Sequence, residues 1–120
     1  MEFEKKKPVY IQIASYILKG IAKKKWKEGE RIPSVRDLSL VIKVNPNTIV
    51  RSFNYLQAKE FIFNKSGLGY FVCKGIYEKA REAVKQDFID TVIPQIAEML
   101  ELLNMSTEDF DKLLVKKLES

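Results

Sequence analysis

The sequence predicts an α+β fold that is mostly α: a winged helix-turn-helix domain followed by a short two-helix dimerisation tail. Three observations predict it. Apolar residues recur at helical spacing in three successive segments before residue 60, and only about three residues separate the second from the third. The period then falls to two on either side of a glycine-bearing loop, the mark of a hairpin. From Tyr77 the helical period returns, and the balance of charge changes sign.

In the first segment Val9, Ile13, Ile17 and Ile21 recur every fourth residue, with Tyr10, Ala14 and Leu18 beside them, which predicts an amphipathic helix from about Pro8 to Lys24. Residues 25–31 are polar apart from Trp26 and contain Gly29, so they read as a connection, with Trp26 plugging the core. Ser34 followed by Asp37 resembles a capping box at the start of a second helix, whose apolar face would be Val35, Leu38, Leu40, Val41 and Ile42. Asn45 is a favoured N-cap and Pro46 suits the first position of a third helix. There Ile49, Phe53 and Leu56 form the inner stripe and leave Asn47, Val50, Arg51, Asn54 and Tyr55 on the outer side.

Phe61-Ile62-Phe63 and Tyr70-Phe71-Val72-Cys73 are β-prone and flank a six-residue tip, Asn64 to Gly69. Cys73 reads as a small buried strand residue. The tail predicts one helical segment from Tyr77 to about Leu103, with Pro94 forcing a kink or break near Thr91–Ile93. A second capping-box pattern, Ser106 with Asp109, opens a last helix carrying Phe110, Leu113, Leu114 and Leu118. The expected division is residues 1–76 as the DNA-binding domain and 77–120 as the helical dimerisation tail.

Charge separates the two parts. Residues 1–76 hold 15 Lys and Arg against 6 Asp and Glu, a balance of +9, whereas residues 77–120 hold 6 against 10, a balance of −4. The first part is therefore expected to meet an anion. The 120 residues contain no His, so the commonest general base and zinc ligand are missing, and no nucleophile, base and orienting group occur together. No catalytic residues, metal or cofactor are expected. One cysteine, no run of 18 apolar residues and a charged first segment (MEFEKKK) predict a cytoplasmic protein with no membrane association.

Four segments, Pro8-Val9-Tyr10-Ile11-Gln12, Ile32 to Leu38, Val44 to Ile49 and Ser66 to Val72, resemble the GntR family of bacterial transcription regulators in order and spacing. Asn45-Pro46-Asn47-Thr48 with a short two-helix tail is similar to its YtrA-like subfamily. The resemblance spans about residues 8–73. It implies a homodimeric winged-helix repressor of a bacterial operon, in this subfamily often one encoding an ABC transporter, released by a small-molecule effector. It also implies that Arg36, after Pro-Ser, touches DNA, that Thr48 and Arg51 stand on the recognition helix, and that Gly67 and Gly69 belong to the wing. Val50 and Pro46 depart from arginines common in the family, so base preference should differ. Lys43 and Glu60 stand where it often has glycine, which would strain a left-handed backbone there.

The expected DNA-contact set is Ser34, Arg36, Asn45, Asn47, Thr48, Arg51, Tyr55, Lys65, Gly67 and Gly69. Asn45 is a cap first, Asn47 has the amide suited to adenine, and the arginine forks suit phosphate or guanine, with a surface ion pair from Arg36 to Asp37 or Glu30 as the bland alternative. Lys5-Lys6-Lys7 and Lys23-Lys24-Lys25 read as solvated runs or phosphate contacts. The tail carries more apolar side chains than it can bury itself, which points to a second copy of the chain through Phe88, Val92, Ile96, Met99, Leu100, Leu103, Phe110 and Leu114. The reading is thus a sequence-specific regulator of a pseudo-palindromic double-stranded operator. The competing one is a winged-helix protein-interaction adaptor that binds no DNA.

Overall fold

The computed structural model describes residues 7–120; Lys5 and Lys6 of the first lysine run lie outside the described residues. The chain forms two compact units, Met1–Val84 and Lys85–Ser120.

The first unit contains α1 (Val9–Ala22), α2 (Val35–Ile42), α3 (Pro46–Ala58), the strands β1 (Ile62–Lys65) and β2 (Gly69–Val72), and the first turns of α4 (Tyr77–Asp87). Its core is one cluster. Ile13, Ile17 and Ile21 of α1 meet Leu38 and Ile42 of α2, Ile49, Phe53 and Leu56 of α3, and Ile62 and Val72 of the hairpin, all buried. Ile76 and Ala80 are buried in the same cluster, which is why the compact unit runs on into α4. Ser52 is fully buried on the α3 face turned to α1. Its hydroxyl lies 2.7 Å from the Tyr10 carbonyl and 3.1 Å from that of Thr48, so this polar group is satisfied while it ties the two helices. Trp26 is buried where α1 has Gly20: a β-carbon on Gly20 would stand 2.1 Å from the indole.

Several local expectations are corrected. On α2 only Leu38 and Ile42 are buried. Leu40 and Val41 are 67% and 73% exposed, because an eight-residue helix turns only one narrow stripe inward. The Ser34 hydroxyl does accept the Asp37 N–H at 3.0 Å, but among the described residues Asp37 returns no bond, so the box is half made. Asp109 does reach back, and both halves of the Ser106 box are present ahead of α6 (Thr107–Glu119). The hairpin tip is three residues, Ser66 to Leu68, not six. Asn64 pairs with Tyr70 and Lys65 with Gly69, so both ends of the expected loop are strand.

The segment read as a connection also pairs. Arg31 bridges Phe71, with the Ile32 N–H donating to the Tyr70 carbonyl at 2.9 Å and the Val72 N–H to the Glu30 carbonyl at 2.9 Å. Cys73 follows β2 rather than lying in it and is half-buried. Its thiol pKa is pushed up by burial and by the Glu60 carboxylate, against the opposing Lys79 ammonium.

In the second unit Pro94 is accommodated without a break. A π-helical turn, Phe88–Val92, precedes α5 (Ile93–Leu102) and places Pro94 in the first turn of α5. The Ile93 N–H donates to the Phe88 carbonyl five residues back. The wider turn gives room to the proline ring, which would otherwise meet the Asp90 carbonyl. No residue from Lys85 to Ser120 is buried within the single chain.

Candidate nucleic-acid interface

The outer face of α3 follows from the sidedness of its inner face. With Ile49, Phe53 and Leu56 fully buried on one side and Ser52 beside them, the opposite side of the helix faces solvent, and Asn47, Val50, Arg51 and Asn54 are exposed there. Asn45 begins the helix as its cap, its Oδ1 accepting the Asn47 N–H at 2.8 Å. That contact occupies the Asn45 side-chain oxygen and uses only the backbone of Asn47, whose carboxamide makes no hydrogen bond among the described residues. Thr48 is half-buried beside it. Three short polar groups thus stand at the positive end of a 13-residue helix, where anions are favoured.

Arg51 lies one turn further on, its guanidinium carbon 4.0 Å above the Tyr10 ring. Tyr10 in turn meets Tyr55 edge to face at 6.1 Å between centroids. This contact holds the guanidinium against an aromatic surface, so fewer side-chain rotamers remain to be lost when it meets a phosphate or base. Tyr10 was not among the expected site residues; its place on the solvent-side flank of α1 is set by tertiary contact. Tyr55 is half-buried and serves this contact, with the Lys59 ammonium 5.3 Å from its centroid. Ser34 is half-buried as the α2 cap, and Arg36, in the first turn of α2, is exposed and forms no ion pair among the described residues. The alternative pairing with Asp37 or Glu30 is not formed.

The wing supplies a second cationic edge. Lys65 ends β1, exposed, and pairs across the strands with Gly69. Gly67 and Gly69 have φ of +76° and +117°, which side chains rarely adopt, so the tight turn depends on them. Gly69 has a further reason: a β-carbon there would stand 2.8 Å from Arg31 Nε. Arg31 therefore lies across the Gly69 backbone on the face that Lys65 shares. Sequence reasoning missed Arg31; the one available signal is the Ile32-Pro33 pair, since a residue before proline is held extended. Lys43 and Glu60 do adopt left-handed backbone, each with φ +63°. Among the described residues no group of three or more His, Cys, Asp or Glu side chains is placed to hold a metal ion.

A family model described as "Bacterial regulatory proteins, gntR family" matches residues 9–72, over half the chain. The chain belongs to the GntR family. Its helix-turn-helix and wing are the DNA-binding domain of a transcriptional regulator, and the family consists of regulators rather than enzymes. Among GntR relatives, the HTH-type transcriptional repressor YtrA of Bacillus subtilis is 30% identical, covering 69% of this chain and 70% of its own. The solved GntR-family transcriptional regulator from Listeria monocytogenes superposes with a TM-score of 0.65 at 26% identity, over 95% of this chain and 98% of that one. The AraR DNA-binding domain, solved in complex with operator ORR3, superposes with a TM-score of 0.56 at 25% identity, over 61% of this chain and 88% of its own. The match with the Listeria regulator includes the short helical tail, whereas the AraR match covers a span the size of the winged-helix unit.

The tail residues expected to dimerise lie in the second unit. Phe88 is 46%, Met99 50% and Leu103 57% exposed, Leu114 is exposed as well, and Val92, Ile96, Leu100 and Phe110 are half-buried. No helix among the described residues is long and apolar enough to cross a membrane.

Proposed function

We propose that the chain is a sequence-specific repressor that binds a pseudo-palindromic duplex operator as a homodimer, with residues 1–76 reading DNA and 77–120 joining the copies. The observation that carries this is the row along α3 of exposed Asn47 and Arg51 with half-buried Thr48 between them, opposite the buried Ile49, Phe53 and Leu56. In this reading α3 enters the major groove, where the Asn47 carboxamide suits adenine and the Arg51 fork suits guanine or phosphate. Arg36 with the Ser34 turn, and Lys65 with Gly67, Gly69 and Arg31, hold the flanking phosphates. The AraR domain, similar in fold and solved in complex with an operator, supports operator DNA as the partner here.

The homodimer is supported by the second unit, which buries no side chain of its own while exposing Phe88, Met99 and Leu103. A two-fold pair of tails would cover them and fix the spacing of two recognition helices. Likeness to YtrA, a transcriptional repressor, supports repression. We propose further that the target is a transporter operon and that a small-molecule effector releases the protein from it.

Fluorescence anisotropy on a labelled mixed-sequence duplex tests the reading. Each neutralised phosphate should add roughly −0.9 to the slope of log affinity against log salt, so about 8 contacts would weaken binding steeply between low and moderate salt. Light scattering should give the dimer mass. A monomer that ignores duplex DNA would favour the adaptor instead.

A further inference from the structure

The structure assigns a second site, distinct from the DNA-facing surface: a ligand cavity for a small planar anion, lined by Trp26 and Tyr77 together with Lys24 and Lys27. The cavity holds about 500 Å³ and is lined by Ile21, Lys24, Trp26, Lys27, Glu28 and Tyr77, all within the first unit. That volume lies in the range of small-molecule sites, roughly 300–1,000 Å³. Its walls divide by chemistry. Ile21 and the two aromatic rings offer flat apolar surface, and Lys24 and Lys27 bring two ammonium groups to the lining.

The charges of the lining do not balance. Among the described residues neither Lys24 nor Lys27 has an ion-pair partner. The one carboxylate lining the cavity is already engaged: Glu28 accepts the Tyr77 N–H at 3.2 Å, and backbone N–H bonds from Gly75 and Tyr77, with a smaller contribution from the Lys24 charge, hold its pKa below the ordinary value. Glu28 is therefore ionised but turned to the main chain at the start of α4, which leaves Lys27, and Lys24 beyond its weaker pull on Glu28, to a guest. Lys24 is also held in place. It sits in a left-handed backbone at φ +61°, with its ammonium 4.5 Å from the centre of the Tyr77 ring. A strained non-glycine residue that poises a cation over an aromatic wall fits a clamp on a flat anion better than a solvated helix end. The ligand class is an aromatic ring bearing one carboxylate or phosphate. This inference does not depend on the DNA reading.

Trp26 is the only tryptophan, so its indole N–H gives a single nitrogen-correlated NMR peak that reports the cavity directly. Phenylacetate and phenyl phosphate would be titrated to about 10 mM, beyond the roughly millimolar Kd expected of ligands with about ten non-hydrogen atoms. The indole peak and the Tyr77 amide should shift and saturate with both, while neutral phenylacetamide should bind roughly tenfold more weakly. The pair Lys24→Gln with Lys27→Gln keeps the aliphatic stems and should weaken anion binding by a similar factor, on the scale of two partly exposed charge pairs. The rest of its spectrum should overlay that of the parent, which separates lost binding from lost fold. Absence of a saturable shift with both anions, equal binding of the amide, or unchanged affinity in the double variant would each overturn the assignment.

Discussion

Replacing Gly20 by alanine sets two physical effects against each other with opposite signs. Gly20 is interior to α1, and helix propensity alone favours alanine by about 1 kcal/mol. Packing opposes it. The new β-carbon would stand 2.1, 2.6 and 2.9 Å from Cζ3, Cε3 and Cη2 of Trp26, where carbon contacts normally close at about 3.5–4.0 Å. The indole must retreat by more than an ångström from a site in which it is buried. Overpacking of that kind costs roughly 1–3 kcal/mol, and expulsion of the ring as much as about 3–5 kcal/mol. Net destabilisation of about 1–4 kcal/mol follows, measured as a lower urea midpoint by far-ultraviolet circular dichroism together with red-shifted Trp26 emission. In a Trp26→Ala background the clash is gone, so Gly20→Ala should there stabilise by about 1 kcal/mol. A Gly20→Ala protein as stable as its parent, with unshifted emission, would refute the argument that Gly20 exists to admit Trp26.

Other substitutions separate structure from function along α3. Asn45→Ala should lower stability by about 1 kcal/mol through loss of the cap, whereas Asn47→Ala should hardly move the melting temperature yet weaken operator binding by at least about tenfold; thermal melts beside anisotropy titrations check both, and the reverse pattern would exchange their roles. Lys43→Gly and Glu60→Gly each relieve a left-handed backbone and should raise stability by roughly 0.5–1 kcal/mol after the entropy cost of glycine; a lower urea midpoint in both would contradict that account. Glu28, with its pKa lowered, stabilises the fold above the ordinary carboxylate value near 4.5, and that contribution fades as pH falls through the lowered value. Glu28→Gln should therefore flatten part of the acid limb in a plot of urea midpoint against pH; an unchanged limb would show that the bond to Tyr77 contributes nothing.

Much of the fold was readable because its signals are local. Ile49, Phe53 and Leu56 at helical spacing placed the inner face of α3, and Asn45-Pro46 placed its start within the sequence itself. Pro94 likewise marked where the tail helix is disturbed, although the response is a π-helical turn, because a wider hydrogen-bonded ring costs less than a break. What escaped depends on distant partners. Glu30 to Ile32 look like a polar connection, and only Tyr70 to Val72, some forty residues away, make them an edge of the sheet. The apolar count on α2 misled for a related reason: Leu40 and Val41 match the composition of a buried face, but its short helix meets the core along one line. At the candidate site, residue types named Asn47, Thr48 and Arg51, while the contact of Arg51 with Tyr10 and the passage of Arg31 over Gly69 arise from tertiary approach.

The most direct test of the DNA reading is to sequence the genomic fragments retained by the purified 120-residue chain. An inverted repeat should emerge whose half-sites lie one or a whole number of helical turns apart, about 10 base pairs per turn, as two tail-joined copies require. Fragments with no shared motif, or a single unrepeated half-site, would contradict the pairing of two recognition helices.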